Sequence, residues 1–311
     1  MRLLRLILFG FAEALLKCIP SYLLGTIFTL IAKALKFSEV RLNLPIKIEK
    51  EVFNLNVGIG IEDTSIFPFI VKNNGWEQFE ALEVFRLINR ESRYTLLDIG
   101  ANQGLFSLQL LKYLEVKNAP NIDQVFLFEP DKRLLELIKK NIKENFSDGE
   151  NFKIISKAIA QSGGTLDFFS ESENSSRNTL EEGASKYNTS TKNIYQVDCI
   201  SSADILGELS SMENDTRVIY KSDIQGSDIE VLLNLPSDLV KRIDIGIVEL
   251  WPKFLKAKNI SVDELVQFFS NYGNLRVFDL NGNEVLQENY RRQELFESLE
   301  PEKCFNILFS K

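Results

Sequence analysis

From Tyr94 to the C-terminus, short apolar runs of strand length alternate with stretches whose apolar residues recur every three or four positions. A strand covered on both faces reads as a continuous apolar run, and a helix lying on a sheet shows one apolar stripe. YTLLDI is such a run. Residues 103–114 follow with Leu105, Leu108, Leu111 and Leu114 in helical register. QVFLF is the next run, and residues 131–145 place Leu134, Leu135, Ile138 and Ile142 on one helical face. FKIISKAIA, GTLDFF and IYQVDCI read as strands. RVIYKSDI is a strand ahead of a helix near residues 228–233, and DIGIVEL is a strand ahead of the helical SVDELVQFFSNY. LRVFDL and CFNILFS close the chain as an antiparallel pair of strands. This order implies an α/β fold with a mainly parallel sheet. In such sheets ligands sit outside the carboxyl ends of the strands, so the residues that end each strand are the first candidates for function.

Composition narrows the chemistry. The chain of 311 residues has a net charge of −8, which makes it a poor binder of phosphate backbones and argues against nucleic acid as its main partner. It contains no histidine. That removes every serine–histidine, cysteine–histidine and histidine-base mechanism, and every histidine-ligated metal site. Cys18, Cys199 and Cys304 are far apart and form no C-x-x-C, so neither a structural zinc nor a disulfide framework is expected and a reducing, cytoplasmic setting fits.

Residues 1–36 differ from the rest. Arg2, Arg5, Lys17, Lys33 and Lys36 oppose a single Glu13, and residues 18–32 carry no charge over about 15 positions. A bilayer-spanning helix needs roughly 20 residues, and Pro20 interrupts a single long helix. Three readings stay open: an interfacial anchor at the inner face of a membrane, a helical cap buried on the protein, and a true span or signal. Residues 37–93 form a lead-in, strand-like through LPIKIEKEVFNLNVGIGIED and helical around Phe79, Leu82, Phe85, Leu87 and Ile88. Residues 94–311 form the principal domain. A polar, Ser/Asn-rich loop at 170–193 interrupts it.

Four strand ends carry the chemistry. LLDIGANQGLFSL ends a strand in Asp98 and turns over Gly100, Ala101, Asn102 and Gly104 into a helix. The glycines let the backbone approach a ligand closely. Asn102 stands where the dinucleotide fingerprint has its second glycine, so a pyrophosphate has less room and a cofactor without phosphates fits better. About 25 residues on, VFLFEPD places Glu129 and Pro130 at the next strand end, where a carboxylate can accept hydrogen bonds from a ribose diol or cap the following helix. Finally IYKSDIQGSDIE ends a strand at Asp223, with Gly226 allowing a tight turn, and IVELWP ends another at Glu249. Asp223 also suits a helix cap, and Glu249 a plain surface position.

Together these residues resemble the FkbM-type methyltransferase family, a branch of the S-adenosylmethionine-dependent class I methyltransferases. Asp98 through Ser107 match its D-x-G-A-N-x-G-x-[FY]-S motif, and Phe128, Glu129 and Pro130 match its F-E-P, with Asn141 behind. Ala158 and Ile159 resemble its third-strand pair, Ser175 and Ser176 its serine-containing stretch, and Trp76 with Glu77 its upstream aromatic–Glu pair. Residues 221–228 resemble its K-[IV]-D-[IV]-E-G-x-E, with Ser222, Gln225 and Asp228 as departures.

The resemblance implies a Rossmann-like, doubly wound, mostly parallel sheet with an antiparallel strand near the C-terminus. It implies S-adenosylmethionine as cofactor and methyl transfer to a hydroxyl of a sugar, glycan or related natural product. On it, Asp98 and the backbone around Gly100 position the methionine part, Glu129 holds the ribose, and Ala158 flanks adenine. With no histidine, Asp223 is the first candidate base, and Lys221, Glu249 and Glu77 are weaker ones. No ligand spacing demands a metal. Gln225 and Ser222 motivate a second reading, a cofactor-binding or regulatory protein with altered chemistry. Asn102 disfavours a nicotinamide enzyme, and the acidic balance disfavours a nucleic-acid methyltransferase.

Overall fold

A computed structural model describes residues 39–48, 51–60, 66–73, 75–119, 122–146, 149, 151–171, 175–181, 192–285 and 291–311. The expected N-terminal helical segment, 1–36, lies outside them.

The lead-in is a hairpin, β1 (Glu39–Ile48) and β2 (Glu51–Gly60), followed by α1 (Ile66–Asn73) and α2 (Gln78–Leu87). The main body then runs β3 (Tyr94–Ile99), α3 (Leu105–Val116), β4 (Ile122–Phe128), α4 (Lys132–Asn145), β5 (Phe152–Ile155), β6 (Ala158–Ala160), β7 (Gly164–Glu171) and β8 (Lys192–Ser201). It continues with β9 (Arg217–Ser222), α5 (Asp228–Leu233), α6 (Ser237–Arg242), β10 (Ile243–Leu250), α7 (Pro252–Ala257), α8 (Val262–Phe269), β11 (Asn274–Asp279), α9 (Arg292–Ser298) and β12 (Phe305–Ser310).

Seven strands form one sheet in the order β11-β12-β10-β9-β3-β4-β5. From β5 to β10 all neighbours are parallel, and β12 runs antiparallel to both β10 and β11. The next strand after β3 lies on one side of it and β9 on the other, so the order reverses at β3. A crevice opens at such a reversal, over the carboxyl end of the strand.

The sheet is covered on both faces. Along β3, Tyr94 and Leu96 join a core with α2, α3, α4 and the hairpin, while Leu97 and Ile99 join an opposite core with α5, α8 and α9. Complete burial of each such aliphatic side chain contributes about 1.5–3 kcal/mol, which fixes the strand's facing. The lead-in thus shares a core with the main sheet.

The structure differs from the sequence pattern in two respects. FKIISKAIA is two strands, not one. β5 ends the main sheet, and β6 leaves it to pair in parallel with β8, whose other edge takes β7 antiparallel. An unbroken apolar run cannot show where a chain changes sheets. The pattern also gave no sign of α1, α6, α7 and α9, which have 8, 6, 6 and 7 residues. The last three are too short to display a helical period. No helix among the described residues is long and apolar enough to cross a membrane.

Two asparagines join the hairpin to the main body. Asn141 and Asn145 lie one turn apart on α4 and pair with the backbone of β2 much as a further strand would. Asn141 Oδ1 accepts from Gly58 N–H at 2.6 Å, and its Nδ2 donates to Gly58 O at 3.2 Å and to Gln103 O at 3.1 Å. Asn145 makes the same two-sided contact with Asn56. Replacing Asn141 leaves a buried N–H and two carbonyls unpaired, so Asn141→Leu is expected to lower the unfolding free energy by about 2–4 kcal/mol. The more exposed Asn145→Ala is expected to cost under about 1 kcal/mol. Urea denaturation of both variants measures the difference.

Candidate active site

The cleft lies over the carboxyl end of β3. Beyond Ile99 the chain turns through Gly100, Asn102 and Gly104, with φ of 76°, 52° and 78°. A Cβ on Gly100 would sit 2.1 Å from the Asp223 carbonyl oxygen, so no side chain fits there. The N–H groups of Gly100 and Ala101 both donate to Phe128 O at 3.0 Å, which seats the loop across the end of β4. Gly104 lies farther on, at the N-cap of α3.

Glu129 is fixed by this arrangement. Asn102 N–H donates to its Oε2 and Asp131 N–H to its Oε1, each at 2.9 Å. Each oxygen keeps a lone pair for a ligand on the cleft wall. Burial, reinforced by the Asp131 carboxylate, pushes Glu129 up to about 8 despite those two donors. Phe128, Pro130, Ala158, Ile159, Phe168 and Leu180 make the wall around it largely apolar. Between β7 and β8, residues 175–181 of the polar loop are described. Asn102 Nδ2 donates to Ser175 O at 3.2 Å, and Ser175 Oγ donates to Asn102 Oδ1 at 3.3 Å, so this part of the loop closes onto the glycine turn.

Beneath the turn lies a buried ammonium. Lys221 Nζ donates to Gly100 O at 2.9 Å, stands 3.0 Å from Asp98 Oδ1 and 3.6 Å from Glu77 Oε1. Ser107 Oγ donates to the other Asp98 oxygen at 2.6 Å. Burial alone would lower Lys221, but Asp98, Glu77 and Asp223 outweigh it and hold the ammonium above its ordinary value. Two expectations are corrected here. Lys221 is a committed cation and is unsuited to act as a base. Asp98 is 0% exposed and lies under the turn, off the cleft wall, because the register of β3 against β9 sets it directly opposite Lys221.

Asp223 stands on the cleft wall, half-buried. Gln225, in left-handed backbone at φ 59°, donates through Nε2 to Asp223 Oδ1 at 2.7 Å and to both oxygens of Glu249 at 3.1 and 3.2 Å. Cys304 Sγ donates to Glu249 Oε1 at 2.9 Å. Burial, with Asp223 and Asp228 nearby, pushes Glu249 well above the carboxylate range. Glu249 therefore sits behind Gln225, against a smaller hollow with Trp251 and Phe254, and the expectation that it faces the ligand is corrected. The other two departures form one lock. Ser222 Oγ donates to Asp228 Oδ1 at 2.6 Å, and the N–H groups of Ile224 and Gly226 also bond that carboxylate, which shapes the turn bearing Asp223.

The structure therefore gathers Gly100, Asn102, Glu129, Pro130, Ala158, Asp223 and Glu77 on one cleft. It sets Ala101 behind the turn and Asp98, Lys221 and Glu249 outside the lining. Lys157, Phe168 and Thr179 line the cleft without having been singled out. No motif marks them, since they reach the cleft through the small sheet and the loop after it.

An apolar wall beside a buried carboxylate with spare lone pairs suits a nucleoside, and the short turn lacks the glycines that a pyrophosphate needs. The doubly wound sheet with one antiparallel strand defines the class I methyltransferase fold. The methyltransferase FkbM domain matches residues 98–275, and the chain belongs to that family. It is a methyltransferase that depends on S-adenosylmethionine. Among solved structures, the precorrin-6y C5,15-methyltransferase of Geobacter metallireducens is 13% identical, with 75% of this chain and 88% of that chain covered and a TM-score of 0.36. An rRNA methylase from Streptococcus thermophilus is 9% identical, with 75% and 95% covered and a TM-score of 0.39. TrmK from M. capricolum, in complex with S-adenosylhomocysteine, is 15% identical, with 75% and 68% covered and a TM-score of 0.35. No curated protein matches the chain.

The raised carboxyls carry a stability signature. Glu77 and Glu129 keep their protons up to about pH 8 when folded, against an ordinary value of 4.5. Between these values the folded state binds more protons than the unfolded state, so each group makes stability fall as pH rises. Glu129→Gln is expected to flatten that fall between pH 5 and 8, which urea titrations across the range measure against the wild type.

Proposed function

We propose that the enzyme methylates a hydroxyl oxygen of a sugar, glycan or related natural product, with Asp223 as the base. The observation that carries this is the setting of Asp223. Asp223 lines the cleft with its Oδ1 tethered by the Gln225 amide, in a chain without an imidazole. S-adenosylmethionine supplies a methyl group already activated on a sulfonium. The protein must hold the acceptor oxygen in line with that methyl and take up the hydroxyl proton as the bond forms.

On this reading Glu129 accepts from the ribose diol, and Ala158 with Phe128 and Ile159 encloses the adenine. Asp98 serves the cleft indirectly, by fixing Lys221 and through it the Gly100 carbonyl. Residues 94–311 are the catalytic domain, and residues 1–36 anchor it to a membrane surface. The reading of a cofactor-binding protein without turnover loses its motive, because Gln225 and Ser222 each hold a carboxylate in place.

The test is calorimetric titration with S-adenosylmethionine together with assay of S-adenosylhomocysteine formation on a panel of glycans. Glu129→Ala is expected to abolish cofactor binding. Asp223→Asn is expected to keep cofactor affinity within about threefold while turnover falls by about 10²–10⁴. Equal turnover in Asp223→Asn and wild type would remove Asp223 as base, and an acceptor of another class would remove the glycan reading. Membrane partition of the chain lacking residues 1–36 tests the anchor.

A further inference from the structure

We infer that Glu77 receives the ammonium group at the amino-acid end of the cofactor. The inference rests on the assignment of the cleft to S-adenosylmethionine.

The cleft has two unlike ends. Glu129 and Ala158 lie on the β4 side of β3, within the apolar wall. Glu77 lies on the β9 side, beside Lys221 of that strand, and Trp76 and Asp223 share its part of the lining. With the nucleoside on Glu129, the amino-acid end has the stretch over Gly100 toward Glu77. An ammonium arriving there meets three acids. Asp98 is under the turn and already held by Ser107 and Lys221. Asp223 is tethered by Gln225. The Glu77 carboxylate accepts no side-chain or backbone hydrogen bond among the described residues. Its cationic neighbour, Lys221, is 3.6 Å away and sits closer to Asp98 and the Gly100 carbonyl.

The backbone adds a second observation. Glu77 occupies the N-cap of α2 in left-handed conformation, φ 54° and ψ 20°, and makes no capping hydrogen bond. A non-glycine residue in that region costs about 1 kcal/mol or more, and N-caps favour Ser, Thr, Asp or Asn. The helix therefore draws no capping hydrogen bond from this glutamate. The conformation sets its side chain on the cleft wall.

The charged groups around Glu77 come from every element that meets it: Lys221 from β9, Asp98 from β3, Asp223 from the turn after β9, and Glu80 from α2. Burial dominates and raises Glu77 to about 8, with Lys221 opposing and the three acids adding. An ammonium bound beside it favours the ionised form, so binding releases part of a proton near neutral pH.

Two probes separate this role from general cleft integrity. S-adenosylhomocysteine carries the amino-acid end, and 5′-methylthioadenosine has the same nucleoside and thioether without it. In calorimetry on the full chain, Glu77→Gln is expected to weaken S-adenosylhomocysteine by about 10- to 100-fold and 5′-methylthioadenosine by less than about twofold. In wild type at pH 7.5, titrations in buffers of different ionisation enthalpy are expected to show more proton release with S-adenosylhomocysteine than with 5′-methylthioadenosine. Equal weakening of both probes, weakening of neither, or equal proton release in wild type would overturn the inference, and the last needs no variant to fold. If wild type binds neither probe, the cofactor assignment itself fails, and the inference falls with it.

Discussion

One buried ammonium organises the centre of this enzyme. Lys221 lies under the glycine turn and is shared among the Asp98 carboxylate, the Gly100 carbonyl and, at longer range, Glu77. Three separate stretches of chain meet there: the end of β3, the end of β9 and the start of α2. A buried charge is tolerable only when paired, and removing one partner strands the other at a cost of about 3–5 kcal/mol. The pair therefore fixes the height of the turn relative to the β9 end. Gly100 can have no Cβ because that approach is so close.

Carboxyls gather in the cleft above it and behind its wall. Glu129 and Glu77 are kept largely protonated by burial, and Glu249 lies deeper still. Asp223, half-buried like Glu77, is tied to Glu249 through a neutral amide. A glutamate in place of Gln225 would bring three carboxyls together with no donor between them. Like charges so close cannot all ionise, so Gln225 lets Asp223 keep its position without that competition. The departure from the family pattern thus has a physical purpose within this site.

Much of this was legible in the sequence, for reasons that differ by element. β3, β4, β9 and β10 are covered on both faces and so read as short, mainly apolar runs. Helix α5 was read to its observed bounds because it follows a strand end and a Gly turn. Glu129 and Asp223 were legible as strand ends in a parallel sheet. What a strand end does not reveal is whether its side chain points up to the cleft or down beneath it. Asp98 points down because the β3–β9 register pairs it with Lys221, and register is a three-dimensional fact. Glu249 lies one strand farther from the reversal point, behind Gln225. Lys157 and Phe168 reach the cleft only because β6 leaves the main sheet, which an apolar run conceals.

A crystal structure with S-adenosylhomocysteine bound is the most direct test of how the centre works. The expected result keeps Lys221 Nζ on Asp98 and on the Gly100 carbonyl, with the ribose hydroxyls on Glu129 above an undisturbed turn. Asp98 swung away from Lys221 and bonded to the ligand itself would contradict it.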